Sequence, residues 1–559
     1  MKIMRTHRLR IPLCPPLLLA LFASSIAVMC CACWSCGAVG GAATRGLIVY
    51  GPVPGLLPSE HYAVRVRPAG ADALWQSVFV FKTACKNFGR FDPAHRAKVD
   101  TEGYCANLSG WSHSYVNFET DVPVEVEIAK VDGGAIRKAT VHPQRYGKRV
   151  TVREGKAYIT LERPCLIAVD INGDMCDQDT TRTPGGGWYT GPPLHAISIF
   201  ANPILADKPH LGDPAVRAVK PGETPPTDGD WKTLYFLSGV HDVGIGYVPQ
   251  ANRNYYIPGD AVIHGTFSKV QGGSNIRIFG CGTISGQRLP HPERVLKLSF
   301  PQTALYSPIT IYGCFNCRVE GVTLADPAYW SCCLQIAPQY FDAARPAVVR
   351  WTKVLGWRYN SDGFSTQYNS VVEDCFVRTA DDTIYPAGLG IRRLVIWHDA
   401  NGSAFLLTSL AGQQGRPLVV EDCDVIFARQ TQYQFSSGSR IFNMRGEGRG
   451  EGGRNVVFRN IRVEDPRPTQ QAFLLQMATE KPYVWPKPMS RGPGDLVGVL
   501  FQNIQIAAPS ILGEPNILWG GPECKIRDLT FDNVTIGGKK LTSIKDFKTN
   551  EYVENIHFK

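Results

Sequence analysis

From residue 45 to 205, apolar and polar positions alternate in short runs divided by turn residues. Ala63-Val-Arg-Val-Arg67, Val122-Pro-Val-Glu-Val-Glu-Ile128 and Ala157-Tyr-Ile-Thr-Leu161 all carry a period of two. That period sends successive side chains to opposite faces, so each run reads as a strand with one buried and one wet face, as in an antiparallel sandwich. Residues 207–231 break the pattern with Pro and Gly and read as a linker. From 232 to 559 the rhythm changes to a few apolar or β-branched residues, a corner residue, then another alternating run. Seven such phrases end at Gly280, Gly321, Asp374, Asp422, Asn460, Asn503 and Asn533. Strand–corner–strand units repeated without helical periodicity predict a solenoid of stacked parallel strands. The expected fold is all-β, with a sandwich over 45–206 and a parallel β-helix over 232–559.

Two phrases nearly coincide: Val371-Val-Glu-Asp-Cys-Phe-Val377 and Val419-Val-Glu-Asp-Cys-Asp-Val425. Their separation corresponds to two coils of ~24 residues. Stacked strands lie ~4.8 Å apart, which puts Cys375 and Cys423 ~9.6 Å apart. A disulfide needs Cα atoms within ~7 Å, so both are expected as stacked thiols.

Composition agrees with this turn-rich reading. The chain has 55 Gly and 40 Pro among 559 residues, with 19% charged and 10% aromatic residues, which excludes a disordered chain and a helical bundle. The net charge of +10 includes Lys2, Arg5, Arg8 and Arg10 of a basic, then apolar, N-terminus, and falls to +6 without them. The remaining basic residues form no tract, so a nucleic-acid partner is not expected. Residues 1–44 read as a secretory signal peptide or an uncleaved signal anchor, which makes the protein secreted or surface-anchored and confines membrane contact to that leader. Asn107, Asn401 and Asn533 head sequons compatible with export. Cys85, Cys105, Cys165 and Cys176 are candidates for local disulfides. Cys314-x-x-Cys317 lacks the second half of a zinc site.

Chemistry concentrates in Tyr359-Asn-Ser-Asp-Gly-Phe364 and Thr379-Ala-Asp-Asp-Thr-Ile-Tyr385. Asp362 precedes the Asp381–Asp382 pair by about one coil, which sets the three on adjacent rungs. Neighbouring residues of a strand face opposite ways, so a turn or bulge must re-aim one of the pair. Crowded carboxylates raise the pKa of at least one, and glycosidic hydrolysis needs one protonated acid and one ionised base. A gap of ~6.5–9.5 Å between opposed carboxyl groups would admit a water and imply inversion. Corner aspartates without function and a calcium site are the alternatives.

At these residues the chain resembles the inverting polysaccharide hydrolases of the pectinase-like right-handed β-helix group, and among them glycoside hydrolase family 49, the dextranases and isopullulanases. Tyr255 to Phe267, the run IRIFGCGTISG at 276–286, Asn360 to Gly363, Asp381–Asp382 and Leu394-Val-Ile-Trp397 carry the likeness in the solenoid. Trp111 to Val126, Val141 to Tyr146 and Ile199 to Pro203 resemble the β-sandwich that precedes it in that family.

The resemblance implies Asp381 as general acid, Asp362 and Asp382 as the residues that position and deprotonate water, endo action, and no metal or organic cofactor. There are two departures. Tyr385 stands where that family has a lysine, and the Gly-His-Gly and Arg-x-Lys motifs of polygalacturonases are missing after Asp382. An acidic pectin substrate is therefore disfavoured, and a largely neutral polysaccharide of dextran or other α-glucan type is expected. The protein is expected to act as a monomer. Trp330, Trp357, Tyr359, Tyr385 and Trp397 are candidates for stacking on sugar rings. His398 is a candidate to tune Asp381, against the plainer reading of a surface histidine. A polysaccharide lyase and a non-catalytic carbohydrate-binding solenoid are the rival functions.

Overall fold

The computed structural model describes residues 46–559 except 71, 87–101, 106–107, 109, 174–180, 183–187, 190–194, 270–271, 336–341, 368, 400, 408–414, 429–439, 446–452, 465–471, 478–493 and 508–514. The leader, Asn107 and Cys176 lie outside the described residues. The alternating runs of the first third form two sheets face to face. Tyr62–Pro68, Val124–Lys130 and Lys156–Leu161 sit together in a five-stranded antiparallel sheet, each with its apolar set turned inward. Opposite it, Ser112–Thr120, Cys165–Ile171 and His195–Asn202 form the centre of a six-stranded sheet. Val64, Val66, Val116, Phe118, Val126, Ile128, Ile159 and Ile197 fill the space between.

The six-stranded sheet is covered on its outer face too, so the whole of Ser112–Thr120 is buried. Alternate residues of that strand, His113, Tyr115, Asn117 and Glu119, point away from the sandwich core. The first three bond to the solenoid: His113 to Arg378, Tyr115 to Thr283 and Asn117 to Thr323. Phe81, Tyr115, Leu166 and Phe200 interleave there with Val262, Leu355, Phe376, Val395, Trp397 and Phe427. A strand buried on both faces explains why its sequence, Ser-His-Ser-Tyr-Val-Asn-Phe-Glu-Thr, lacks a simple apolar–polar alternation.

From Val216 on, parallel strands stack into a solenoid with three faces. The flank sheet runs through Arg318–Glu320, Ala347–Arg350, Ser370–Glu373, Gly390–Arg392 and Leu418–Glu421. The inner sheet, facing the sandwich, runs through Thr323–Ala325, Lys353–Leu355, Phe376–Thr379 and Val395–His398. The outer sheet runs through Cys332–Gln335, Phe364–Gln367, Ile384–Tyr385 and Phe405–Leu406. Val216–Val219 already pairs with Thr233–Phe236, so the Pro/Gly-rich segment expected as a linker contains the first strand of the solenoid.

The repeated phrases acquire a cause here. Gly280, Gly321, Asp374, Asp422, Asn460, Asn503 and Asn533 all have positive φ, from 53° to 113°. They turn the flank sheet into the inner sheet through the left-handed region, which Gly, Asn and Asp enter most readily. Trp351 and Arg393 hold the same conformation in the intervening coils, and neither residue type announces it. Val371 is paired with Gly390 and Gly390 with Val419, so the two near-identical phrases are two rungs apart, as their spacing predicts. Cys375 and Cys423 are buried thiols, and among the described residues no disulfide forms. Of the cysteines expected to pair locally, Cys165 is a buried thiol and the Cys85 thiol is directed at the Cys105 carbonyl, while Cys176 lies outside the described residues.

Candidate active site

The corner between the inner and outer sheets gathers the acidic residues. Asp362 lies just before the outer strand Phe364–Gln367, and Asp381–Asp382 just before the next, Ile384–Tyr385. The Gly363 N–H donates to the Asp382 carbonyl (2.9 Å) and Phe364 is paired with Ile384, so Asp362 sits one rung from Asp382. The pair occupies the bend after Phe376–Thr379 rather than a strand, which frees both side chains to face the same way. One oxygen of each of Asp362, Asp381 and Asp382 lies within 4.8 Å of the others, and all three residues are buried.

Close packing fixes this corner. A Cβ at Gly363 would lie 2.2 Å from the Thr383 carbonyl oxygen. Gly402 has φ +76°, and a Cβ there would meet the Asp382 backbone nitrogen at 2.4 Å. Thr379 donates to the Asp381 carbonyl (2.7 Å) and contacts Thr383 (2.9 Å), whose hydroxyl meets His398 Nδ1 at 2.7 Å. Burial pushes His398 down to about 3, so it stays neutral. His398 is thus a buried support of the turn, not a surface histidine. Its reach to Asp381 runs through two threonines.

The three carboxyl groups have different surroundings. Among the described residues Asp381 accepts three N–H groups: Asn360 N and Asn401 Nδ2 on Oδ2, and Asp382 N on Oδ1, each at 2.9 Å. Asp362 accepts the Tyr385 hydroxyl on Oδ2, while its buried Oδ1 has no hydrogen-bond partner. Burial, then the charges of Asp381 and Asp382, hold the Asp362 carboxyl well above the ordinary carboxylate range. The cluster therefore retains a proton where isolated carboxylates would have lost theirs, and it titrates as a unit.

A hard cation would need six to eight oxygen ligands. Here three carboxylates are available, and the one with most partners is already filled by N–H donors. Waters or carbonyl oxygens would have to complete the shell of any cation held here.

The sandwich reaches this corner. The Gly103 carbonyl accepts from Tyr359 N (2.8 Å), and Arg358 donates to the Tyr104 hydroxyl (2.8 Å) and to Asp326 (3.1 Å). Tyr104, Cys105, Leu108 and Trp111 bury Trp357 and Ala380. Trp357 and Trp397 are fully buried against Arg378 and offer no face to a sugar, contrary to expectation. Tyr359 is half-buried beside the acids with the Arg294 guanidinium 4.6 Å over its ring, and Trp330 is half-buried on the rung before Asp362, stacked on Tyr329, its neighbour Ser331 donating to the Asp362 carbonyl. Tyr385 meets the acids through its hydroxyl.

Asn401 was expected only as a sequon, yet its amide nitrogen is turned onto Asp381. Its place in sequence, 20 residues after Asp381, is the same coil-length interval that linked Asp362 to the pair, and that was the available signal. Asn360 contributes a backbone N–H from the left-handed region (φ 59°), which side-chain chemistry does not reveal.

Among solved structures, the chain is similar to Dex49A from Penicillium minioluteum, at 18% identity and a TM-score of 0.66, over 91% of this chain and 96% of that one. It also matches the endo-xylogalacturonan hydrolase from Aspergillus tubingensis, at 11% identity and a TM-score of 0.35, over 58% of this chain and 87% of that one. The first likeness shows the fold, and with the topology above it bears out the expected sandwich followed by a right-handed parallel β-helix. No family model and no curated protein matches the sequence.

Proposed function

We propose that this protein is a glycoside hydrolase related to family 49, acting on a largely neutral polysaccharide of dextran or other α-glucan type. The observation that carries the reading is the convergence of Asp362, Asp381 and Asp382 from two rungs onto one buried corner. In this reading Asp381 donates a proton to the leaving oxygen, while Asp362 and Asp382 hold and deprotonate the water. Burial and crowding raise the Asp362 carboxyl, so the cluster holds a proton longer than isolated carboxylates would, and in this reading that proton passes to Asp381 and frees Asp362 to act as base once substrate is bound. The fold shared with Dex49A supports the same assignment. Trp330 and Tyr359, both half-buried, are the side chains proposed to carry a sugar ring, and the basic-apolar leader supports export.

Inversion is proposed from the resemblance and from the third carboxylate, which a two-residue double displacement would not use. The spacing favours a second reading. Oxygens within 4.8 Å fall closer to the ~5–5.5 Å of retaining enzymes than to the ~6.5–9.5 Å expected for inversion. The two are separated by incubating purified protein with dextran, pullulan, other glucans, arabinan and galactan, and following the first product by NMR. The expected result is hydrolysis of an α-glucan with the β-anomer appearing first. An α-anomer first would assign the retaining route, and no release of reducing ends from any polymer would sink the hydrolase reading. An unsaturated product absorbing in the ultraviolet would mark a lyase instead.

A further inference from the structure

We propose that Tyr385 is a positioning residue for Asp362: its phenol pins one carboxylate oxygen and leaves the other as the atom that receives the proton of the attacking water. This rests on the hydrolase reading above. Tyr385 lies on the outer strand directly over Ser365, so its side chain rises from the rung next to that of Asp362. Its hydroxyl donates to Oδ2, and among the described residues it is the side-chain donor that reaches Asp362. Oδ1 is buried and has no hydrogen-bond partner. A carboxylate is two-fold symmetric about its Cβ–Cγ bond, so without the phenol either oxygen could face the water and its orientation would spread. With the phenol in place, Oδ1 is the open acceptor.

The other ionisable groups facing Asp362 are Asp381 and Asp382 from the corner, Tyr359 from its own loop, and Tyr329 and Cys333 from the preceding rung. None is a cation. Burial raises both phenols and the thiol, so they stay neutral in the working range. The Tyr385 hydroxyl is therefore the side-chain donor that, beside the residue's own backbone N–H, favours ionised Asp362 against two like charges. This gives the position a different role from sugar stacking. A stacking ring acts through its face, which phenylalanine keeps. A positioning phenol acts through its oxygen, which phenylalanine lacks.

Tyr385→Phe separates the two. Losing a donor to the charged form moves the Asp362 protonation midpoint upward, by about one pH unit for a hydrogen bond to a charged group. Because the base must be ionised, the acidic limb of the kcat/KM profile moves to higher pH by the same amount. The expected kinetics are a kcat about 10-fold to 100-fold lower with KM little changed, the mark of an interaction that matters to reaction rather than binding. NMR titration of 13C-labelled aspartate, with Asp362→Asn to identify the signal, reads the midpoint without any turnover. An unmoved midpoint in Tyr385→Phe overturns the inference. A moved midpoint in a wild-type protein that hydrolyses nothing leaves the contact standing and sinks the hydrolase reading instead. A wild-type that turns over, with both limb and kcat unchanged in Tyr385→Phe, overturns the positioning role.

Discussion

Asp381→Asn is expected to lower turnover by several orders of magnitude while the protein remains folded. General acid catalysis alone contributes ~10²–10⁴, and the amide cannot give its proton to a leaving oxygen. The cost to the fold is small because two effects oppose each other. Asp381 accepts three N–H groups, so one end of an asparagine amide must confront a donor, at about 1–3 kcal/mol. The same substitution removes one of three crowded negative charges, which relieves Asp362 and Asp382. Release of reducing ends, read beside a thermal melt, checks both halves. A folded variant with near wild-type turnover would remove Asp381 from the mechanism.

The largest expected effect on stability lies behind the site. Arg378 and Asp399 are both fully buried and paired at 2.7 Å. The guanidinium lies 4.2 Å from the Trp357 ring centroid and 4.3 Å from that of Trp397, and it meets His113 of the sandwich at 2.9 Å. Arg378→Ala leaves Asp399 as a buried charge whose remaining side-chain donor is the Trp397 indole (2.7 Å), and it opens a gap between two indoles. Breaking a buried pair in this way costs about 3–5 kcal/mol. Chemical denaturation should show the loss as a lowered midpoint. Restoring charge balance with Arg378→Met and Asp399→Leu together should recover much of it, since an apolar replacement of a buried pair is often neutral. A loss under about 1 kcal/mol in the single variant would mean that water reaches the pair, against its zero exposure.

Much of this arrangement is legible in the chain, for reasons that can be named. The corner residues are visible because a left-handed turn selects Gly, Asn and Asp, and they recur at nearly every coil. The acidic cluster is visible because stacked coils convert an interval of about 20 residues into contact. What stays hidden is which face of an aromatic is covered. Trp357, Trp397 and Trp330 are alike in sequence, yet two are sealed beneath the sandwich and one stays half-buried. Burial by a second layer, contributed by residues some 250 positions away, leaves no local periodicity. Backbone donors such as Asn360 N are hidden for a related reason, since every residue has one and only the fold aims it.

The sandwich has a thermodynamic consequence as well as a geometric one. A solenoid behaves as a one-dimensional lattice in which each coil is held by its neighbours, and disorder enters from the ends. Here an external field acts on part of that lattice. Described contacts with the N-terminal part run from Val240 through Val262, Trp397 and Phe427 to Glu464, and the coils beyond hold on through their own stacks, such as Phe458 on Phe501 on Phe531. The rungs of Asp362 and Asp381 sit well inside the clamped stretch. Fraying that begins at the C-terminal coils must cross the boundary near Glu464 before it loosens the acids, so the chemistry is housed in the segment that opens last.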